Sequence, residues 1–330
     1  MGKKNKQKKR KHLPKALPEK FVERLTKIVG SSRLELVLKT FVDKPTTFRV
    51  NTIKATKTEI DTVLREKNYK TSHVSWSADA YVLKNQTKRG LTELDVYKEG
   101  KIYIQSLASM VPPLVLDPQS GEKVLDLTAA PGSKTSQIAA LMKKQGELVA
   151  NELNKVRFFR LQHNMEHLGV SDTQDGWEFR MRMEDGSVLC KEHEGYFDKI
   201  LVDAPCSGEA RFINGYPKSY GFWSEHKIKQ VAYRQHKLLM AAWYALKPGG
   251  VLVYSTCTMA PEENEARIHK LIDRFGEQVV VEKIVLSGVV SIPAILEWKG
   301  KVYHKDIKKT FRMLPTSEVE GFYVARLRKR

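Results

Sequence analysis

The second half of this 330-residue chain alternates short apolar runs with amphipathic ones, and this alternation restricts the fold more than any other feature. Apolar runs at 123–128, 147–152, 197–203 and 251–256 have the length of buried strands, and most are followed by a helical pattern. Such an order predicts an α/β fold, a doubly wound and mostly parallel sheet. Ligands bind at the carboxyl ends of strands in these sheets, so the residues after each run are the candidates for a site.

The first part of the chain has a different pattern. Residues 1–16 are predicted to form a disordered basic tail, with seven Lys or Arg and no acid among the first twelve residues. The tail could add phosphate contacts or act as a targeting signal, and the sequence leaves both open. Residues 17–95 mix helical periodicity with short strands and predict a small, basic α+β module. Residues 96–330 are then expected to form the α/β domain.

Composition narrows the partners and the compartment. The formal charge of +19 predicts a polyanionic partner, and nucleic acid is the default. No apolar run is long enough to span a bilayer, so no membrane role is expected. The three cysteines form no C-x-x-C pair, so neither a metal site nor a disulfide framework is expected. These features predict an intracellular, cytoplasmic protein, with a nuclear or nucleolar address possible in a eukaryote.

The turn after the first apolar run has small residues but matches no phosphate-binding loop. It lacks the G-x-G-x-x-G of dinucleotide folds and the glycines of a P-loop. A compact nucleoside ligand without phosphates fits this turn, and S-adenosylmethionine (SAM) is such a ligand. The turn residues predicted to bind it are Thr128, Ala129, Ala130, Pro131, Gly132, Ser133 and Lys134.

Acids after the next strands complete the predicted cofactor site. Glu152 ends the second apolar run and is placed to accept ribose hydroxyls. Asp185 follows the third strand and could meet the adenine amino group, although the adjacent Glu184 could do the same. Asp203 ends the fourth strand and is included in the cofactor site.

Three motifs carry a resemblance to a known family. Leu125-Asp-Leu-Thr-Ala-Ala-Pro-Gly-Ser-Lys-Thr135, Asp203-Ala-Pro-Cys-Ser-Gly208 and Tyr254-Ser-Thr-Cys-Thr258 resemble motifs of the RNA cytosine-5 methyltransferases of the Nol/Nop/Sun family. The likeness covers roughly residues 20–330. Thr128 and Ser133 depart from the usual Cys and Gly of the cofactor loop, but neither change removes a reacting group. The resemblance implies a class I SAM-dependent methyltransferase fold with a seven-stranded, Rossmann-like sheet.

The resemblance also implies the catalytic roles. Cys257 would be the nucleophile that adds to C6 of cytosine, because C5 of the free base is too poor a nucleophile to accept a methyl group. Cys206 would act in release of the product. Asp203 would supply a proton at N3, and Lys134 would help to organise the base beside it.

The RNA contacts are predicted from charge and aromatic content. The segment 211–223 interleaves cations with aromatics, which suits stacking on unpaired bases, and Arg211 and Lys218 are its candidates for phosphate contacts. Arg49 in the small module is a third candidate, although it could bridge the two domains instead. The RNA could be ribosomal or transfer RNA.

Two other functions remain open on sequence grounds. An exocyclic-amine or DNA methyltransferase on the same scaffold would need no thiol nucleophile, so the two cysteines argue against it. A noncatalytic RNA-binding or ribosome-assembly factor could retain the fold and the basic surface. Nothing in such a factor would select Cys257 together with Cys206 and Asp203.

Overall fold

The computed structural model describes residues 16–330, so nearly all of the predicted basic tail lies outside the described residues. Two helices come first, α1 (Glu19–Val29) and α2 (Ser31–Leu38). The apolar face of α1 buries Phe21 and Leu25 in the same hydrophobic cluster as Phe197 of the α/β domain. The helices at the start of the predicted module therefore pack against the large domain.

The remainder of the small module is built on a four-stranded antiparallel sheet. Its elements are β1 (Thr47–Val50), α3 (Lys57–Glu66), β2 (Thr71–Val74), β3 (Ser77–Leu83), α4 (Lys88–Glu93), α5 (Asp95–Lys98) and β4 (Ile102–Ile104). The strand order is β2-β3-β1-β4. Ile104 pairs with Phe48 and Ile102 with Val50, so this sheet continues past the boundary predicted at residue 95.

The large domain begins with α6 (Leu107–Leu116) and then alternates strands and helices. These elements are β5 (Lys123–Asp126), α7 (Ser133–Leu141), β6 (Gly146–Asn151), α8 (Lys155–His167), β7 (Trp177–Arg182), α9 (Gly186–Glu192), β8 (Phe197–Asp203), α10 (Glu225–Ala245), β9 (Leu246–Thr256) and α11 (Glu265–Phe275). The five strands pair in parallel in the order β7-β6-β5-β8-β9. The predicted doubly wound sheet is confirmed.

The carboxy-terminal segment extends this sheet with antiparallel strands. Those that join it are β10 (Val279–Glu282), β11 (Ser291–Ile292), β14 (Phe311–Met313) and β15 (Phe322–Lys329). Two further strands, β12 (Glu297–Trp298) and β13 (Lys301–Val302), pair with each other in a separate two-stranded sheet. β15 pairs with β9, and its other edge is shared by β10 and β14. The sheet has nine strands where seven were expected. Two short strands, β10 and β14, occupy the edge of β15 where one long strand would pair, and β11 adds a further strand beyond β14.

Candidate active site

Adjacent parallel strands bring two of the three thiols together. β8 ends at Asp203 and β9 at Thr256, and Asp203 is paired with Ser255 across the two strands. Cys206 and Cys257 follow these ends, and their Sγ atoms lie 3.2 Å apart. Both side chains are half-buried. Residues 51 positions apart in the sequence thus form one pair at the carboxyl edge of the sheet.

The two thiols differ in their electrostatic surroundings. The pKa of Cys257 is lowered from its usual value, chiefly because the Cys206 thiol can donate a hydrogen bond to it. The positive charges of Arg211 and Lys134 also lower this pKa, against the opposing effects of burial and of Asp203. The pKa of Cys206 is raised well above its usual value, first by the same hydrogen bond and then by burial. The arrangement favours a thiolate at Cys257 and a thiol at Cys206.

An ion pair lies beside the thiols. Lys134 Nζ is 2.7 Å from Asp203 Oδ2 and donates to Ser109 Oγ at 2.8 Å. The other Asp203 oxygen accepts from Ser255 Oγ at 2.7 Å. Thr128 donates to the main-chain oxygen of Asp203 at 2.8 Å, which ties the predicted cofactor turn to the end of β8. Residues from β8, β9, α7 and the turn are therefore held in one network.

A cavity of about 910 Å³ opens over this network. Both cysteines and Asp203 line it, together with the predicted turn residues Thr128, Ala129, Ala130, Pro131, Ser133 and Lys134. Gly132, the remaining turn residue, packs against α8. Its φ is +102°, and a Cβ there would lie 2.5 Å from Met165 Cε. A side chain here would be strained by the positive φ and would force the Met165 side chain to move, which favours glycine.

Asp126 is a cavity residue that sequence reasoning missed. It ends β5, is buried, and accepts a hydrogen bond from Thr135 Oγ1 at 2.8 Å through Oδ2. No donor among residues 16–330 reaches its Oδ1. Burial raises the pKa of Asp126 to about 7. An unpartnered carboxylate oxygen here fits a ligand that carries an amino group, as SAM does, and the acid at the end of the first strand was the available signal.

The two other acids predicted to hold the cofactor have partners within the protein. Glu152 is buried and pairs with Arg157 at 3.0 Å, and it is Arg157 that lines the cavity. Asp185 is exposed and caps α9, accepting from the main-chain nitrogen of Ser187 at 2.8 Å. The alternative acid, Glu184, pairs with Arg182 at 2.6 Å. Their contacts with a cofactor stay a prediction.

The structure corrects the interpretation of Arg49 as an RNA contact. Only 3% of this residue is exposed. Its guanidinium donates to Ser136 Oγ at 2.5 Å and to Gln105 Oε1 at 2.9 Å, so it joins β1 to α7 of the large domain. The reason is tertiary packing, because the small sheet covers the side chain. The bridging alternative is the one that the geometry supports.

The other two predicted RNA contacts are accessible. Arg211 and Lys218 are exposed, and Arg211 lines the large cavity. Phe222 in the same segment also lines that cavity and is 59% exposed. Trp223 instead donates to Glu209 at 2.7 Å and packs on the ring of Phe21, which anchors the segment.

A buried glutamate behind the thiols was also missed. Glu263 accepts hydrogen bonds from the main-chain nitrogen of Ser207 and from Gln235, each at 2.9 Å. It also contacts the Ser207 hydroxyl. Burial raises its pKa to about 7. This side chain links the loop after Cys206 to the loop after Cys257, although an acid in a loop gives no sequence signal for that role.

Within residues 16–330, no helix combines the length and the apolar character needed to cross a bilayer.

Two protein families match the chain. The family described as 16S rRNA methyltransferase RsmB/F matches residues 113–328, and the N-terminal domain of 16S rRNA methyltransferase RsmF matches residues 17–107.

Individual relatives agree with this match. The chain is 35% identical over 318 residues to a tRNA (cytosine(49)-C(5))-methyltransferase of Pyrococcus abyssi, covering 96% of this chain and 97% of the relative. It is also 35% identical over 319 residues to ribosomal RNA small subunit methyltransferase F of Vibrio vulnificus. That alignment covers 95% of this chain but only 64% of the relative, so the chain spans a little under two thirds of it.

Solved structures share the architecture. A methyltransferase homologue from Pyrococcus horikoshii superposes with a TM-score of 0.77 at 29% identity, covering 95% of this chain and all of the other. NSun6 from the same organism, solved with SFG, gives a TM-score of 0.79 at 23% identity, covering 96% of this chain and 99% of the other. The second comparison concerns the fold alone.

Proposed function

The chain belongs to the family of the 16S rRNA methyltransferases RsmB/F, and from this premise we propose that it methylates C5 of cytosine in RNA through a covalent adduct of Cys257. It is a SAM-dependent RNA cytosine-C5 methyltransferase by family and by its relatives. The observation that carries the covalent route is the 3.2 Å separation of Cys206 and Cys257 within the cavity.

The first step is addition of the Cys257 thiolate to C6 of the target cytosine. The new S–C6 bond moves the electrons of the C5–C6 double bond into the ring, so that C5 becomes an enamine carbon. The lowered pKa of Cys257 raises the fraction of thiolate at neutral pH. SAM, when bound, supplies an electrophilic methyl group to C5. The turn at 128–134 would hold it, since most of that turn lines the same cavity.

Asp203 and Lys134 handle the charge that develops on the ring. Addition at C6 places negative charge at N3, where a proton is needed. Asp203 in its carboxylic acid form would donate a proton at N3 and take it back on release, and the ammonium of Lys134, 2.7 Å away, would stabilise the carboxylate formed in between. The hydrogen bond from Ser255 fixes the orientation of the carboxyl group.

Release requires that H5 leave as a proton and that the S–C6 bond break. The electrons of the C5–H bond form the new C5–C6 double bond, and Cys257 departs as a thiolate. Cys206 lies next to the departing sulfur and carries a raised pKa. We assign it to this step: its thiol gives a proton to the departing Cys257 sulfur, and the Cys206 thiolate formed in this way takes up H5.

The substrate is an unpaired or flipped cytosine in RNA, and both transfer and ribosomal RNA are open. The target base must leave the stack to reach a cavity of this depth. Arg211, Lys218 and Phe222 supply cations and an exposed ring near the cavity, which suits single-stranded RNA.

Methyl transfer to transcribed tRNA and 16S rRNA, followed by bisulfite mapping, tests the proposal. The wild-type chain with SAM is expected to protect specific cytosines from conversion. Cys257→Ala is expected to lose about a thousandfold or more of this activity, since removing a nucleophile has effects of at least that size.

Cys190→Ala is the matched control, because Cys190 is a buried free thiol outside the cavity. It is expected to keep nearly full activity. Methylation of cytosine N4, or full activity of Cys257→Ala, would contradict the proposal.

A further inference from the structure

A second cavity, of about 540 Å³, continues from the active-site cavity. Its walls come from residues 42–47, which lead into β1, from the end of β4, and from residues 210–213 after the Cys206 loop. The two cavities share Lys88, Ile104, Gln105, Ser106, Arg211 and Glu320. We call the second cavity the flanking groove. When the target base lies in the active-site cavity, the adjacent nucleotide of the RNA would be directed toward this groove.

Glu320 lies where the two cavities meet, and its carboxylate has an unused hydrogen-bond acceptor. Its Oε2 is buried, and no donor among residues 16–330 reaches it. The next residue, Gly321, packs closely against Ala210 and Met259 and holds this segment beside the cysteine loop. A buried carboxylate oxygen without a donor costs free energy, which a ligand with N–H groups would recover.

Lys44 lowers the free-energy cost of burying the Glu320 carboxylate, but it donates no hydrogen bond to the Glu320 oxygens. Its positive charge faces Glu320. Its ammonium, however, donates to the main-chain oxygens of Thr40 and Thr316, at 2.5 and 2.6 Å. The carboxylate is therefore electrostatically supported and still available to a ligand.

Two cations on the rim of the flanking groove are available to phosphate. Lys88, at the start of α4, and Arg211 are both exposed. Neither has a carboxylate within 4.0 Å in the part of the chain that the structure describes. Exposed, unpaired cations beside a groove suit the backbone of a nucleic acid.

We propose that the flanking groove binds the nucleotide next to the target cytosine and that Glu320 selects guanine there. This rests on the proposed function. A carboxylate offers two acceptors side by side, and on the Watson–Crick edge only guanine offers two adjacent donors, N1–H and the N2 amine. Adenine, cytosine and uracil each offer one donor on that edge.

Binding of labelled RNA dodecamers to the full chain tests the proposal. Each contains one central cytosine in uridine, with guanine, inosine, adenine or uridine at one neighbouring position, and a matched set has uridine at the centre. The wild type is expected to bind one guanine-flanked set at least about tenfold more tightly than its adenine and uridine counterparts. Inosine, which lacks the N2 amine, is expected to lose most of that preference.

Glu320→Gln is expected to lose most of the preference for guanine. Glutamine keeps one acceptor but has a donor in place of the other, so it cannot accept from N1–H and the N2 amine together. Glu318→Gln is the matched control, since Glu318 lines the same groove but already pairs with Lys84 at 2.6 Å. It is expected to keep the wild-type preference.

Three results would overturn the proposal: a wild type that binds all neighbours alike, a Glu320→Gln variant that still prefers guanine, and a variant that changes only cytosine against uracil at the central position. The last would place Glu320 on the target base. Methyl transfer is measured on the same RNAs. A Glu320-dependent guanine preference, with no methylation of these RNAs, of tRNA or of 16S rRNA, would support the groove and refute the proposed function.

Discussion

At the residue level, two thiols 3.2 Å apart are assigned opposite protonation states by their surroundings. The pKa of Cys257 is lowered by a hydrogen-bond donor and two nearby cations, whereas the pKa of Cys206 is raised because Cys206 is that donor and is partly shielded from solvent. A third thiol, Cys190, lies apart, where burial raises its pKa to about 12. The three cysteines are therefore expected to differ in reactivity, and Cys257 is expected to be the most reactive.

The pH dependence of alkylation tests this order. Only the thiolate reacts, so the rate at each cysteine rises with pH and levels off above its pKa. Cys257 is expected to show a midpoint below the usual thiol value, and Cys190 almost no reaction at pH 9. In Cys206→Ala the Cys257 midpoint is expected to move upward, because its principal stabilising donor is gone. Peptide mass spectrometry after brief iodoacetamide treatment measures all three.

An unchanged Cys257 midpoint in Cys206→Ala would show that the cations, and not the neighbouring thiol, set the pKa.

The two cysteines could be singled out from sequence because each closes an apolar run with a recognisable motif. Asp126 had a signal only in its place at the end of the first strand, and Glu263 and Glu320 had none, since acids in loops are common. Their importance comes from burial, which depends on elements distant in the sequence.

At the level of elements, Arg49 illustrates how tertiary packing decides between two interpretations. Sequence reasoning placed it in a strand of a basic module, which was compatible with RNA contact or with bridging. In the fold, β1 presents it to α7, and its guanidinium is buried among Gln105 and Ser136. Burial lowers its pKa to about 10, so it remains charged at neutral pH.

Arg49→Met is therefore expected to reduce the free energy of unfolding by about 2–3 kcal/mol, because polar partners are left unpaired in a buried place. Arg211→Met, at an exposed position, is expected to change stability by less than about 0.5 kcal/mol but to weaken RNA binding. Urea titration and RNA binding measure the two effects. A stable Arg49→Met variant with weak RNA binding would restore Arg49 as an RNA contact.

The long buried strands and the helices between them were predictable, because each is long enough to show a continuous apolar run or a helical period. Residues 279–313 were not. Their strands have two to four residues, too few to show a period. β10 and β14 pair with the free edge of β15, which only the assembled sheet provides.

At the scale of the whole molecule, the sheet order is what makes the site. Alternating strands and helices predicted a parallel sheet but not which strands are neighbours. The adjacency of β8 and β9 places the two thiols in contact, and β5 on the other side of β8 brings the cofactor turn beside Asp203. The family resemblance supplied the roles of these residues, and the topology explains why distant motifs can share them.

Trapping of the covalent intermediate is the most direct test of the account. Each variant is incubated with SAM and an RNA that the wild type methylates, and is then analysed on denaturing gels and by peptide mapping. Cys206→Ala is expected to accumulate a protein–RNA adduct at Cys257, whereas Cys257→Ala and the double variant are expected to form none. An adduct at Cys206 in the Cys257→Ala variant would contradict the account.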